Sequence, residues 1–557
     1  MDYFVGVDIG TTATKAVAFS PAGKVLAKHS ISYPIHHPEE QLSEQNPNVI
    51  LKAVVRSLSS LASQLPGGNP VLVSFSSAMH SLILVDKKDE PLTECIIWAD
   101  NRASDIARAL RNTERGGAFY QKTGVPLHAM SPLCKLIWFR NEKPELLKRA
   151  KKCIGIKEFV FQRFFGNYVV DTGLAAATGL LSCRSLQWDP EILDSAGIRE
   201  DQLSRVVDTT HVDKWTPEQR ERLERWNTTR EVQETAVSDT ASPISLEAFA
   251  QTAFVIGSSD GALANLGSGA TIAGSMAVTI GTSGAVRLAS RQPLTDPEMR
   301  TFCYHLTGQQ FIIGGASNNG AVVIQWLKEK LLQDTTSSYE AFLHTASTVS
   351  AGSDGLLFLP YILGERAPLW NSKARGVFFG LDAGHTSAHL VRAAMEAVIY
   401  NMYAIGRILM EKQAVSVIYA SGGFTESDFW LQLLTDVFAL PVFVPENENS
   451  SALGAVMVGL QALGEELGTG QGALGMGLET GQGALGVGLG TGQGALRAGL
   501  GAGQGALRAG LGAGLATPVT FDLTKGKTFH PNAENHAIYV ERFHKWQRIY
   551  ELVKGEF

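Results

Sequence analysis

The chain has 557 residues, too many for one typical domain, and a 45% hydrophobic content that suffices for large cores. Its net charge of -6 provides no basic excess, which argues against nucleic acid as the main partner and leaves any anionic substrate to a local basic pocket. Five scattered cysteines without a CxxC pair argue against a disulfide framework or a zinc site. With no apolar run long enough to span a membrane and no basic-apolar leader, a cytoplasmic protein without a membrane partner is expected.

The first element is Tyr3 to Phe19, YFVGVDIGTTATKAVAF. Phe4, Val5, Val7 and Ile9 form one strand, Ala16 to Phe19 resume the pattern, and Gly10 bends the chain between them. Gly10 lets backbone approach a bulky anion, Thr11, Thr12 and Thr14 add hydroxyls, and Lys15 adds a cation. Asp8 ends the first strand, where a carboxylate can hold a nucleotide's Mg2+ through waters. By themselves these residues more often make an ordinary edge hairpin with Lys15 solvated. A turn at Ser20 to Gly23 leads to a third strand over Lys24 to Ser32, and Asn46 to Leu65 has the spacing of a surface helix.

The octet DIGTTATK resembles the first phosphate motif of the FGGY carbohydrate kinases, a family with the actin-like fold. That resemblance implies an α/β chain of two related actin-like (ribonuclease H-like) domains with ATP and a sugar meeting in the cleft. The boundary is expected near Pro243, giving domains over 1–243 and 244–557.

Two short strands over Val71 to Asp86 are interrupted by Ser-Ser-Ala-Met-His, which resembles the family's Met-His substrate pair and so implies that Met79 and His80 contact the sugar. In IIWADNR, Trp98 offers a flat apolar face, and Asp100, Asn101 and Arg102 offer polar groups for a polyol. The wording WADNRA resembles the gluconate-kinase branch of the family. Arg102 is the candidate for a substrate carboxylate, which it can grip with two parallel hydrogen bonds.

The second domain is expected to open with the strand Phe254 to Gly257 and to present Asp260, at the family position of the catalytic base. MAVTIGTSGAVR repeats the opening hairpin, with Gly281, Thr282 and Ser283 at its bend as a second phosphate holder. A strand through Ile312 leads into a helix carrying Gln325, beside Asn318 and Asn319. Glu365, Arg366 and Arg375 are expected to structure a loop near the cleft. Gly422 and Gly423 leave room for a purine, with Ser427 one turn into the following helix, as in the family's adenosine motif.

GQGAL recurs at Gly470, Gly481, Gly492 and Gly503, an 11-residue period that departs from the family. Its glycine content argues for a flexible loop over 467–515. The chain resumes with an amphipathic C-terminal helix bearing Tyr539, Phe543, Trp546 and Ile549. The resemblance thus implies ATP-dependent phosphorylation of a sugar or sugar acid, D-gluconate first, with a xylulose or other polyol kinase as the alternative. A non-catalytic actin-like nucleotide-binding regulator is the rival from another class, and a homodimer is compatible with either.

Overall fold

The computed structural model describes residues 1–227, 244–272, 274–446, 449–466, 523 and 525–557. The 11-residue repeat over 467–515 lies outside the described residues. Two sheets organise the chain, each built on a hairpin that the Gly-Thr turns create.

The first sheet contains β1 (Asp2–Ile9), β2 (Ala13–Phe19), β3 (Val25–Ser32), β4 (Asn69–Ser77), β5 (Val212–Asp213) and β6 (Ala253–Ser259), in the order β5-β6-β4-β1-β2-β3. β1, β2 and β3 are antiparallel neighbours, whereas β4 runs parallel to β1 and β6 parallel to β4. The inner strands are almost wholly buried, as expected of a sheet covered on both faces. Helix α1 (Pro47–Gln64) covers β2 and β3 with Val49, Ala53, Leu58 and Leu61 turned inward. Asn46 caps it, its Oδ1 accepting from the amides of Asn48 and Val49 at 2.9 and 3.2 Å, and Pro47 occupies the first helical position.

β6 overturns one expectation. Its strand, read as the opening of the second domain, pairs with β4 in the first sheet, in the register Ala253↔Leu72 to Ser259↔Ser77. The change of sheet comes after α2 (Asp260–Gly267), not near Pro243.

The second sheet contains β7 (Ser275–Ile280), β8 (Gly284–Ser290), β9 (Phe302–Thr307), β10 (Gln310–Ser317), β11 (Val417–Ser421), β12 (Val442–Pro445) and β13 (Gly526–Phe529). Their order is β9-β10-β8-β7-β11-β12-β13, with β7, β11 and β12 parallel. The run β10-β8-β7-β11-β12 therefore repeats β3-β2-β1-β4-β6, strand direction included, so the lobes are related folds.

Helix α3 (Ser387–Met410) packs on β8 and β10, and α4 (Asp428–Phe438) follows β11. α5 (Ser450–Glu466) returns to the first lobe, where it lies against α2, β4 and β1. α2 and α5 cross so closely that a Cβ at Gly454 would stand 2.0 Å from the Leu263 carbonyl oxygen, and one at Gly267 the same distance from that of Ser450. Only glycine permits this approach. The C-terminal helix α6 (Ala533–Val553) buries Tyr539, Phe543, Trp546 and Ile549 on the second lobe, with Trp546 Nε1 donating to the Phe358 carbonyl at 2.7 Å. Among the described residues no helix is long and apolar enough to cross a membrane.

Candidate active site

Five of the segments singled out by their motifs lie at the carboxyl ends of parallel strands. β1 ends at Ile9 before Gly10, β4 at Ser77 before Met79, and β6 at Ser259 before Asp260. In the second lobe β7 ends before Gly281 and β11 before Gly422. Open α/β sheets bind ligands in the crevice that such strand ends create.

Asp8 and Lys15 are cross-strand partners on β1 and β2, so they share one face of the sheet. Asp8 Oδ1 accepts from Ser76 Oγ at 2.7 Å. Burial raises the Asp8 carboxyl above its ordinary range, and the Ser76 hydroxyl and Lys15 charge partly oppose this. Asp260 is the first residue of α2 and accepts from the Gly261 amide at 2.6 Å. Its carboxyl is pushed up to about 6 by burial and by the charge of Asp8, against the cations Arg287 and Arg366. Lys157, fully buried, fixes the strand end behind it: Nζ donates to the Ile256 and Ser258 carbonyls at 2.9 and 3.1 Å and pairs with Asp171 at 2.7 Å.

Asp260 opens onto a cavity of ≈ 220 Å³ between the lobes. Thr11, Met79, His80 and Trp98 line it from the first lobe, and Ser283, Arg287, Tyr304 and Arg366 from the second. His80 Nδ1 lies 2.9 Å from the Ala177 carbonyl, which only accepts, so Nδ1 carries the hydrogen and Nε2 is an acceptor. Burial, aided by Lys135, drops the His80 pKa to about 3, which keeps the ring neutral. Nε2 lies 3.4 Å from the Tyr304 hydroxyl, within reach of a polyol hydroxyl. Trp98 donates from Nε1 to Thr11 Oγ1 at 2.9 Å and lies under the Arg366 guanidinium at 4.8 Å.

Asp100 and Arg102 stand elsewhere, which corrects the expectation for both. Arg102 Nε and an NH2 hydrogen grip the two oxygens of Asp100 at 2.8 and 2.9 Å, and NH2 also pairs with Glu44. Asp100 is wholly buried and also accepts from the Ser43 amide at 2.8 Å. Neither residue lines the cavity; the guanidinium is already neutralised and packs on Trp138 at 5.2 Å. The pair braces the loop behind Trp98.

Residues not singled out for the sugar site complete it. Lys135 donates to the carbonyls of His80, Ile96 and Ile97 at 2.7, 3.3 and 2.8 Å, tying the Met79-His80 and Trp98 segments together. Burial lowers its pKa to about 7. Glu365 accepts from Ser317 Oγ at 2.7 Å, Asn319 Nδ2 at 3.0 Å and Asn401 Nδ2 at 2.8 Å, which sets the backbone from which Arg366 projects. Asn319 thus serves the loop, as does Asn318, whose Nδ2 donates to the Leu363 carbonyl at 3.1 Å.

A second, larger cavity of ≈ 1060 Å³ opens on the other side of the β7-β8 bend. Gly281, Thr282, Gln325, Gly423 and Ser427 line it. Gly422 has φ +99°, and a Cβ there would stand 2.4 Å from the Ile280 carbonyl oxygen. Ser427 is the cap of α4, its Oγ accepting from the Trp430 amide at 3.3 Å, rather than a residue one turn inside the helix. Gly10 and Thr12 belong to the bend of the first hairpin, closed by the Gly10 amide on the Ala13 carbonyl at 3.0 Å, and Lys15 lies on the strand that leaves it. The second bend is one residue tighter, closed from the Gly281 amide to the Ser283 carbonyl at 2.9 Å. Gly281 and Thr282 face the larger cavity while Ser283 faces the smaller one, so this bend is the wall that the two cavities share.

Twin lobes of this topology, with a carboxylate in the smaller of two cavities that share one wall, define an actin-like phosphotransferase. The N-terminal domain of the FGGY family of carbohydrate kinases matches residues 3–222, and the C-terminal domain of that family matches residues 276–463. The chain belongs to the FGGY family of carbohydrate kinases. It is 44% identical over 474 residues to a gluconokinase of Bacillus subtilis (strain 168), covering 83% of this chain and 88% of that protein. The crystal structure of gluconate kinase from Lactobacillus acidophilus superposes with a TM-score of 0.81 at 32% identity, covering 99% of this chain and 98% of that one. A ligand-bound xylulose kinase from the same organism superposes with a TM-score of 0.82, also at 32% identity, covering 100% and 99%.

Proposed function

We propose that this carbohydrate kinase transfers the terminal phosphoryl group of ATP to the primary hydroxyl of D-gluconate, giving 6-phospho-D-gluconate and ADP. The observation that carries the reading is the shared wall. The Gly281 bend borders a cavity roomy enough for a nucleotide on one side and a small polar cavity holding Asp260 on the other. Identity of 44% to a gluconokinase supports the choice of sugar acid.

In this mechanism the hydroxyl sits against Asp260, whose carboxylate takes the proton as the new P–O bond forms and the bond to ADP breaks. A base with a pKa near 6 is mostly ionised at neutral pH yet basic enough to assist. The bends at Gly10 and Gly281 offer backbone amides and hydroxyls to the phosphates, and Lys15 offers charge. Gly422, Gly423, Ser427 and Gln325 border the adenosine end. His80 Nε2, Trp98 and Met79 receive the polyol chain.

Among the described residues no cluster of three His, Cys, Asp or Glu side chains forms a metal cage. Asp8 retains an oxygen beyond its bond to Ser76, which fits a Mg2+ brought by the nucleotide and held through waters. That ion would neutralise charge on the phosphates. The five buried, free cysteines support placing the reaction in a reducing cytoplasm.

The xylulose kinase superposition favours a second reading, the same chemistry on a pentulose. Purified protein assayed for ADP release with gluconate, xylulose, glycerol and fuculose separates the two. Gluconate is expected to give the highest kcat/KM by at least about tenfold, and a preference for xylulose would overturn the assignment.

A further inference from the structure

We propose that Arg287 selects a sugar acid over a neutral sugar, its guanidinium receiving the substrate carboxylate; this rests on the gluconate reading above. Arg287 was not singled out as a site residue, and the role falls to it because Arg102 is committed elsewhere. Among the described residues lining the small cavity, two guanidiniums, Arg287 and Arg366, face one carboxylate, Asp260. His80 is neutral and does not alter that balance. Two carboxylates, Glu365 and Asp260, oppose the charge of Arg366, whereas Asp260 alone opposes that of Arg287, so Arg287 is the cation with capacity for a further acid.

The two arginines are not equivalent. Arg366 is anchored: NH2 donates to the Ser317 carbonyl at 3.0 Å, and its plane lies over Trp98. Arg287 has only a long hydrogen-bond contact from NH1 to Thr279 Oγ1 at 3.5 Å among the described residues; its Nε, like that of Arg366, is buried with no acceptor, so the difference lies in the terminal nitrogens. It leaves β8 two residues after Ala285, which lines the same cavity, so alternation along the strand turns both side chains to that side. Gly261 keeps the space open, since a Cβ there would stand 3.0 Å from Arg287 Nε and NH2.

A guanidinium with donors to spare is suited to a carboxylate, which can accept two parallel N–H bonds. A ligand carrying an acid at one end and a hydroxyl at the other can satisfy Arg287 and present that hydroxyl to Asp260. A neutral polyol leaves Arg287 unmatched, and a site built for a polar partner rejects the analogue lacking it.

The test uses the full-length protein and its Arg287→Met and Arg287→Lys variants at pH 8.5, where Asp260 is ionised in all three. KM and kcat are measured for D-gluconate, together with the inhibition constant of D-glucitol, the polyol with a hydroxymethyl group in place of the acid. Arg287→Met is expected to raise the gluconate KM by about 50-fold or more and to leave the glucitol inhibition constant within about threefold. Arg287→Lys should lie between. Equal losses for gluconate and glucitol, or an unchanged gluconate KM, would overturn the proposal while the gluconate reading stood. A wild-type protein that neither binds nor turns over gluconate would remove that reading, and the proposal with it.

Discussion

Asp260→Asn separates the catalytic role proposed for this carboxylate from its effect on the fold. The folded-state pKa is raised from 3.8 to about 6, so the native protein prefers the protonated acid. That preference penalises the folded state once pH rises through 6, and it vanishes below about 4. Two pH units at about 1.4 kcal/mol each set an upper figure of about 3 kcal/mol, and partial exposure makes about 1–2 kcal/mol the working value. Asparagine, never charged, should therefore raise the melting temperature at pH 8 by about 1–2 °C, the small shift that a chain of this size allows, and leave it nearly unchanged at pH 4. Turnover should fall by about 10²- to 10⁴-fold, the usual contribution of a general base. Scanning calorimetry at the two pH values, with ADP release measured alongside, reads both effects. Full activity in the variant, or a melting temperature lower at pH 8 than that of the wild type, would refute the reasoning.

Other outcomes follow from the same geometry. The kcat/KM of the wild type should lose about tenfold between its plateau and pH 5, with a midpoint near 6. Asp8→Asn removes a charge that raises the Asp260 pKa and should move that limb to lower pH. Arg102→Leu leaves the buried Asp100 unmatched and should cost about 3–5 kcal/mol in denaturant unfolding without a selective rise in the gluconate KM. Gly281→Ala meets no protein atom within 4 Å, so stability should hold within about 0.5 kcal/mol. Its KM for ATP should nevertheless rise severalfold where the methyl crowds a phosphate.

The hairpins, the capped helix α1 and the C-terminal helix were legible because their signals are local: alternation, Gly-Thr bends, Asn46-Pro47 and helical spacing of aromatics. What the sequence concealed depends on distant partners. Nothing within Phe254 to Gly257 states that its strand pairs with β4 near Leu72. Asp100 and Arg102 looked available because Glu44 and Ser43, which engage them, lie nearly sixty residues away. Ser427 differs by a helix boundary, where a capping serine looks much like one in the first turn. Arg287 stood inside the MAVTIGTSGAVR stretch, and its signal was a lone charge on an otherwise apolar strand. Lys135 carried a similar signal, a charge inside the apolar run Leu133 to Phe139 of the helix Pro132–Glu142.

The most direct test is a ternary structure with D-gluconate, Mg2+ and a non-hydrolysable ATP analogue. The terminal hydroxyl should lie about 2.6–3.2 Å from an Asp260 oxygen, facing the last phosphorus across the Gly281 bend. A hydroxyl held by another group, with Asp260 remote from that phosphorus in the closed state, would contradict the account.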